Sequence, residues 1–173
     1  IGSFCLGTAG LPCQLELEGL SPIMKGADED GGYGFVAKLS NSGTWIWAEK
    51  FGTNTDDRGM DIVVDSSNNA IITGLFTEIM TMGTDTVMGT DAYALVVAKI
   101  SSDGVWQWAN SLASSMGVEP FNDICIDELD RPYVVATFVQ DVMFGGNFIV
   151  GHDGADIFVG MLNQTGEWNW CSY

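Results

Sequence analysis

Oxygen-donating side chains that would suit a metal ion cluster at one place in the sequence. The segment Thr53–Asp57 supplies two threonines, an asparagine and the carboxylates of Asp56 and Asp57, and calcium prefers oxygen ligands of this kind. The segment lacks the alternating acidic order of a calcium-binding loop. We therefore interpret it as a solvated connection without a metal, and calcium at Asp56 and Asp57 is the alternative.

The other residues that could do chemistry stand without partners in the sequence. Glu16 and Glu18 alternate with leucines, which would place two carboxylates on one strand face, and paired carboxylates hydrolyse glycosides when a second wall faces them. His152 lies among glycines and an aspartate in a predicted loop. The sequence contains no serine-hydrolase, zinc-protease or phosphate-loop signature. It therefore predicts a protein that is not an enzyme and needs no cofactor.

Three copies of one cassette organise the chain. They span Val36–Trp47, Val97–Trp108 and Val159–Trp170, and each runs from an apolar strand through a polar turn to a Trp-x-Trp pair. Successive copies are 61 and 62 residues apart. A repeat of this length predicts one supersecondary unit per copy, with each unit stacked on its neighbours.

Each unit is predicted to contain four short strands, because runs of β-branched and aromatic residues alternate with Gly, Asn, Asp and Ser. No segment has a sustained helical period. The predicted strands of the three units are Phe4–Leu6, Leu15–Leu20, Gly34–Leu39 and Trp45–Phe51; Asp61–Asp65, Ala70–Phe76, Leu95–Ile100 and Trp106–Leu112; and Asp123–Asp127, Tyr133–Val139, Ile157–Leu162 and Trp168–Tyr173.

The turn before the fourth strand ends in glycine in every unit, at Gly43, Gly104 and Gly166. Glycine readily adopts the positive φ that a tight hairpin needs. The tryptophans that follow are two residues apart, which on a regular strand would place both rings on one face. We predict that these rings pack sheets face to face, and a ladder of rings that stacks on a ligand is the alternative.

An aspartate recurs just before the third strand of each unit, at Asp30, Asp91 and Asp153. An aspartate in such a place commonly ties down a turn through its own backbone. We expect this role, and a ligand shared along one rim of the molecule is the alternative.

Several stretches resemble a known family of repeats. Gly34–Leu39, Phe51–Ile62 and Val64–Gly74 are similar to the bacterial β-propeller repeat known as SBBP, whose units read approximately D-A-F-V-A-K-L-x-x-x-G-x-x-x-W, then a glycine- and aspartate-rich link, then V-D-x-x-G-N-x-Y-V-T-G. The resemblance covers nearly the whole chain, but Gly160 and Met161 replace the Ala-Lys pair in the third unit. The resemblance implies a propeller fold and export, and it implies no activity.

We predict an all-β chain that forms one β-propeller-like repeat domain over residues 1–173, with three four-stranded antiparallel blades at about 1–52, 59–113 and 120–173. Closed propellers typically have at least four blades, and an open arc would leave broad apolar faces in water. We therefore expect a partial propeller, either a piece of a longer protein or one completed by partners. Two copies would form a six-bladed ring, and many copies an open array. The first residue, Ile1, favours a piece or a processed product.

The charge excludes some partners, because 23 Asp and Glu residues face only six Lys and Arg residues. Such a surface repels nucleic acid and anionic lipid, and no apolar run approaches the roughly 20 residues of a membrane-spanning helix. An acidic surface of this kind suits an extracellular or cell-surface protein. In an exported protein Cys5 and Cys13 would form a disulfide across a short loop, whereas Cys125 and Cys171 would be buried thiols, and other pairings remain open.

The segments between the second and third strands, Thr77–Thr90 and Gln140–Gly154, are longer than a hairpin requires. Loops on rigid scaffolds commonly carry binding functions, and methionine surfaces adapt well to partners. The apolar side chains that we expect to be exposed there, and to bind a protein partner, are Met80, Met82, Met88, Met143, Phe144 and Phe148. The alternative is that both segments form small apolar caps on their own blades.

These features favour a non-catalytic structural or adhesive module of an exported or cell-surface protein. Such a module would act through protein–protein contacts, with another protein or with copies of itself. Two alternatives belong to other classes, namely a glycan-binding or calcium-dependent lectin-like module, and an accessory domain of a secreted hydrolase.

Overall fold

The structure is a computed structural model that describes residues 1–4, 13–24, 31–53, 55, 57–90, 92–114 and 118–173. Every helix or strand assigned within these ranges is a β-strand, which confirms the prediction of an all-β chain. The described ranges contain no helix that is long and apolar enough to cross a bilayer.

Seventeen strands occur in the part of the chain that the structure describes. In chain order they are β1 (Gly2–Phe4), β2 (Gln14–Leu15), β3 (Ile23–Met24), β4 (Tyr33–Leu39), β5 (Trp45–Phe51), β6 (Arg58–Val64), β7 (Ala70–Phe76), β8 (Ile79–Met82), β9 (Asp85–Met88), β10 (Ala94–Ile100), β11 (Trp106–Ser114), β12 (Val118–Ile126), β13 (Pro132–Val139), β14 (Val142–Phe144), β15 (Asn147–Ile149), β16 (Ala155–Leu162) and β17 (Trp168–Ser172).

The strands form three main antiparallel sheets, which we call the first, second and third sheets. The first has the order β1-β4-β5, and the third has the order β12-β13-β16-β17. The second has the order β15-β14-β11-β10-β7-β6, in which β14 and β15 extend a core of four strands. The pairs β2–β3 and β8–β9 are separate two-stranded hairpins.

The second sheet lies between the other two, and its two faces carry the two main cores. One face packs Ile72 and Val96 against Val36 and Phe51 of the first sheet. The side chains alternate between faces along each strand, so neighbouring residues of β10 belong to opposite cores. We call the face of a sheet that points towards the next sheet its front face, and the opposite face its back face.

The front face of the second sheet packs against the back face of the third. Leu95 and Val97 of β10 share a core there with Val134, Phe138 and Phe158. Each of these five side chains is fully buried, with no exposed surface. The two cores therefore repeat one arrangement, in which the front of each sheet is covered by the back of the next.

The glycine turns before β5, β11 and β17 have the same geometry in all three units. Gly43, Gly104 and Gly166 each have a φ of 83°, and each donates its backbone N–H to the carbonyl oxygen three residues earlier. A side chain other than Asn or Asp rarely adopts this φ. The predicted turn chemistry is confirmed at these three positions.

The prediction that both tryptophans of a pair lie on one face is wrong. Trp106 packs into the core shared with the first sheet, whereas Trp108 packs into the core shared with the third. Trp106 pairs with Ile100 and Trp108 with the adjacent Lys99, so Gln107 is an extra residue in β11. This β-bulge rotates the strand, and the same shift occurs in the first and third sheets.

The first unit begins differently from its prediction. Ser3 and Phe4 lie in β1, which pairs with β4 as β7 pairs with β10. Gly2 faces Phe35 in the first pair, and Gly74 faces Val96 in the second. β1 therefore occupies the position of the second strand of its unit. Only Phe4 of the predicted first strand Phe4–Leu6 is described, and its pairing with Tyr33 places it in this second strand. The prediction is therefore wrong at Phe4.

The predicted strand Leu15–Leu20 is also wrong. Only Leu15 of this range lies in a strand, and it belongs to the short hairpin β2–β3. Leu20 donates its N–H to the carbonyl of Leu17 at 3.0 Å, and Gly19 has a φ of 86°. This turn reverses the chain before a longer strand can form.

Candidate functional site

Two hairpins project from equivalent places in the second and third units. β8–β9 and β14–β15 both follow a residue with positive φ, Glu78 at 60° and Gln140 at 65°. Their tip glycines lie beside the first tryptophan of the unit: a Cβ added to Gly83 would lie 3.0 Å from the Cβ of Trp106, and one added to Gly145 would lie 2.9 Å from Cδ1 of the Trp168 ring. Both long segments therefore form hairpins. β8–β9 packs on its own unit, as the alternative interpretation expected, whereas β14 pairs with β11 and extends the sheet of the preceding unit.

A groove of about 790 Å³ lies between these hairpins, β11 and the turn that precedes β17. Met88, Met143 and Phe148 line it, and these side chains are 57%, 58% and 60% exposed, respectively. The groove brings Met88 close to two other predicted partner-binding residues, Met143 and Phe148, which are 55 and 60 positions later in the sequence. Whether it binds a partner stays a prediction.

The other three predicted partner-binding residues are not exposed as we expected. Met80 and Met82 are each 2% exposed and belong to the core between the first and second sheets. Phe144 is 6% exposed and packs edge-to-face on Phe158 and Trp168. Both hairpins are amphipathic, and the face that holds these residues points inward.

Two carboxylates in the groove accept hydrogen bonds from backbone N–H groups. Asp85 accepts the N–H of Ala109 at 2.9 Å, and Asp141 accepts the N–H of Gly151 at 3.1 Å. The groove lining contains a third carboxylate, Glu167, and no Lys, Arg or His. Its exposed surface is therefore mainly apolar, with an acidic margin.

The front face of the third sheet is the second candidate surface, because no sheet among the described residues covers it. Val135, Ile157 and Val159 are 39%, 59% and 37% exposed there. The residues at the same positions in the second sheet are Thr73, Leu95 and Val97, and each has no exposed surface. The third sheet thus presents to solvent a face that its counterpart buries.

The back face of the first sheet is uncovered in the same sense. Leu39 is 49% exposed, whereas its counterparts Ile100 and Leu162 have no exposed surface. The hairpin β2–β3 covers one end of this face, where Leu15 and Ile23 pack near Phe4 and Tyr33. The stack of sheets therefore ends in apolar surface on both sides.

Each inner boundary between sheets contains a tryptophan that packs on a turn glycine, and we call this the tryptophan–glycine contact. Trp47 donates its indole N–H to Ser102 O at 2.9 Å, and a Cβ added to Gly104 would lie 3.0 Å from the indole ring. Trp108 of the second sheet repeats the arrangement. It donates to Gln164 O at 3.1 Å.

Sequence analysis found these tryptophans and glycines but did not pair them. In the second contact, a Cβ on Gly166 would lie 2.5 Å from the ring of Trp108. The sequence does contain a signal for this pairing, because each tryptophan precedes its glycine by nearly the same number of residues. Gly104 follows Trp47 by 57 positions, and Gly166 follows Trp108 by 58.

We expect Gly166→Ala to lower the free energy of unfolding by about 1–3 kcal/mol more than Gly43→Ala does. Both variants add a methyl group, but only the one at Gly166 would collide with a packed tryptophan ring. Both glycines have a φ of 83°, so both variants carry the same backbone strain. No atom lies within 4 Å of a Cβ placed on Gly43. Urea unfolding of dilute protein measures the difference. Equal losses would contradict a packing role for Gly166.

A polar contact also joins the second and third sheets. Asp61 accepts the N–H of Ile124 in the third sheet at 3.1 Å and that of Ile62 at 2.8 Å. Burial raises the pKa of Asp61, but hydrogen bonds with Asp123 and with these two N–H groups outweigh it, so that the pKa is lowered. The charged carboxylate therefore stabilises the boundary.

The predicted calcium site is described only in part. Asp57 is fully buried and accepts the N–H of Thr53 at 2.5 Å, while Asp56 lies outside the described residues. The described residues contain no group of three or more acidic, His or Cys side chains arranged to hold a metal ion. Through this hydrogen bond, Asp57 stabilises the backbone of the link between the first and second sheets.

The other described residues considered for chemistry are exposed. Glu16 and Glu18 lie outside any strand, which contradicts their predicted common strand face. The His152 side chain is 77% exposed, and its Nδ1 lies 3.5 Å from Asp156 Oδ1. Asp153 is exposed in the same loop. Its predicted counterparts Asp30 and Asp91 lie outside the described residues.

The cysteines agree in part with expectation. Cys13 is disulfide-bonded, and Cys5, its predicted partner, lies outside the described residues. Cys125 and Cys171 are free thiols. Cys125 is exposed, which corrects the expectation that it would be buried. Burial raises the pKa of Cys171, so this thiol stays protonated at neutral pH.

The chain matches no protein-family model, and no curated protein matches it.

Proposed function

We propose that the chain is a non-catalytic structural or adhesive module of an exported or cell-surface protein, and that it acts through protein–protein contacts. Its three sheets would be successive blades of a β-propeller of the SBBP type. The repeated stacking of front face on back face supports this assignment, as does the identical turn geometry of the three units.

One observation carries the proposal. Val135, Ile157 and Val159 are exposed on the front of the third sheet, at positions whose counterparts in the second sheet are fully buried. Soluble proteins rarely keep a broad apolar face in water unless a partner covers it. A module with such a face therefore functions in contact with a partner that covers it.

The groove between the two hairpins supplies a second contact surface. Its exposed side chains Met88, Met143 and Phe148 are of types that bind protein partners through apolar contact. The groove opens beside β11 and does not overlap the front of the third sheet. The module would therefore contact neighbours through its end faces and an additional partner through the groove.

Binding of an environment-sensitive apolar dye tests the role of the exposed face. In protein too dilute to self-associate, we expect the wild type to bind the dye and the double variant Ile157→Asn/Val159→Asn to bind less of it, without a lower melting temperature. Val105→Asn is the matched control, since Val105 is 64% exposed but lies in the turn before β11. Failure of the wild type to bind the dye would contradict the proposal.

A glycan panel separates this function from the lectin alternative. The structural module is expected to bind no glycan, with or without calcium. Retention of a sugar that disappears on addition of a chelator would favour the lectin-like module and overturn the assignment.

A further inference from the structure

In the third unit, no turn of the described residues covers the tryptophan that is equivalent to Trp47 and Trp108. Trp47 and Trp108 lie on the turns of the following units, at Gly104 and Gly166. Trp170 occupies the equivalent position in the third sheet, where its ring is 42% exposed and contacts Tyr133 edge-to-face at 6.0 Å. The ring half of a tryptophan–glycine contact is therefore present at this end of the stack.

The other half of the contact is present at the opposite end. Gly43 has the same φ of 83° as Gly104 and Gly166 and lies in the same hydrogen-bonded turn. Among the described residues, no atom lies within 4 Å of a Cβ placed on Gly43, whereas a Cβ on either of the other two glycines would lie against a tryptophan ring. The turn at Gly43 therefore has the same backbone geometry as the other two turns, but no described tryptophan ring packs on it.

The surfaces around these two halves also correspond. Ile157 and Val159 extend from the front of the third sheet, and their counterparts Leu95 and Val97 pack on the back of the next sheet. Leu39, on the back of the first sheet, is 49% exposed where its counterparts are covered. Each end face thus has the composition of a boundary that the chain already forms twice.

We propose that a second copy of this chain docks head to tail, so that Trp170 of one copy packs on Gly43 of the next. The inference rests on the proposed function and names the partner that covers its end face. The indole N–H of Trp170 would donate to the carbonyl of Asn41, which corresponds in the repeat to Ser102 and Gln164. The contact is heterologous, so it can close a ring of copies or extend an open array.

The charge of the chain predicts how this association responds to salt. Each copy carries a net charge of −17, so two copies repel each other at long range. The contact itself is apolar. Added salt screens the repulsion, so we expect association to tighten as ionic strength rises, which is opposite to the behaviour of an interface held by ion pairs.

Sedimentation at increasing protein concentration tests the inference. We expect the wild type to form dimers or larger species between about 1 µM and about 1 mM. Trp170→Ala should weaken association at least about 30-fold, as expected for a central tryptophan in an interface. Gly43→Asn should do the same, because Asn tolerates a positive φ but fills the vacant surface.

Gly146→Asn is the matched control, because Gly146 has a φ of 78° and no atom within 4 Å of an added Cβ, yet it lies on the hairpin β14–β15. It should leave association unchanged. Mixing the Trp170→Ala and Gly43→Asn variants should restore pairs, since one intact Trp170 then meets one intact Gly43. A symmetric interface would give no such rescue.

Two results would overturn the inference, and they separate it from the proposed function. Association that persists in both Trp170→Ala and Gly43→Asn but is lost in Ile157→Asn/Val159→Asn would show that another contact joins the copies and would leave the structural role standing. A wild type that stays monomeric in high salt would exclude the second copy, and the dye experiment would then decide the role of the exposed face.

Discussion

Trp108→Ala is expected to lower the free energy of unfolding by about 3–5 kcal/mol, the usual range for a large aromatic side chain in a core. Trp108 is 8% exposed and packs at the boundary of the second and third sheets. The variant removes the ring that fills the space beside Gly166, and it leaves Gln164 O without the indole donor. Urea unfolding of dilute protein measures the loss.

Trp170→Ala is the matched control for this prediction. Trp170 has the same place in its unit but is 42% exposed, so in dilute monomer its loss should be about 1 kcal/mol or less. Trp106→Ala should cost nearly as much as Trp108→Ala, since Trp106 packs edge-to-face on Phe51 at 6.2 Å. Equal losses at Trp108 and Trp170 would contradict the stacking of sheets around these rings.

Sequence analysis predicted the second and third units well, because local signals specify them. β10 and β16 coincide with their predicted strands to within two residues, and turns that begin at Asp65 and Asp127 precede β7 and β13. Positive φ values at Asn68 and Asp130 mark those turns. Turn residues and alternation act within a few positions of sequence, so a repeat makes them visible.

The faces of the tryptophans could not be predicted in the same way. Whether Trp106 and Trp108 share a face depends on the bulge at Gln107, and this bulge is defined by pairing with Lys99 and Ile100 on β10. The spacing of two residues is the same with or without a bulge. The register between strands is a tertiary property, and the tryptophan spacing alone does not encode it.

The error in the first unit has a different cause. The sequence analysis places Phe4–Leu6 at the first-strand position, although Gly2 and Phe4 match Gly74 and Phe76 of β7. The described segment of β1 is only three residues long, so two alignments were compatible with its apolar pattern. The pairing of β1 with β4 distinguishes them.

The candidate site was predicted by segment but not by side chain. In β8 the pattern Ile79–Met82 alternates buried and exposed residues, with Met80 and Met82 inward. Alternation predicts that one side of a hairpin is buried, but the side is chosen by packing against the sheets. The sequence therefore located the hairpins, and the structure was needed to identify Met88, Met143 and Phe148 as the accessible group.

Asp65→Ala is expected to lower the free energy of unfolding by about 3–5 kcal/mol, because it leaves a buried charge without its partner. Asp65 Oδ2 lies 2.7 Å from Lys99 Nζ, and the two side chains are 3% and 11% exposed. Asp65 also accepts the N–H groups of Ser67 and Asn69 at 2.9 and 2.8 Å. Thermal and urea unfolding at neutral pH measure the loss.

The pH dependence of this difference identifies the carboxylate as its source. Burial raises the pKa of Asp65, but hydrogen bonds from Lys99 and Asn69 and the charge of Lys99 outweigh it, so the pKa is lowered. A lowered pKa stabilises the fold above the unfolded-state value of about 4 and loses that effect as pH falls through the folded-state value. The gap between wild type and Asp65→Ala should therefore narrow below about pH 4.

Lys99→Met separates the buried charge from the loss of packing. The third unit has Met161 at the position of Lys99, so methionine is compatible with this site in the fold. Asp65→Ala/Lys99→Met should be more stable than Asp65→Ala alone, because the second change removes the unpaired ammonium group. A double variant that is less stable than Asp65→Ala would show that Lys99 stabilises the sheet through its stem and its other contacts, and that the ion pair is not the main contribution of Asp65.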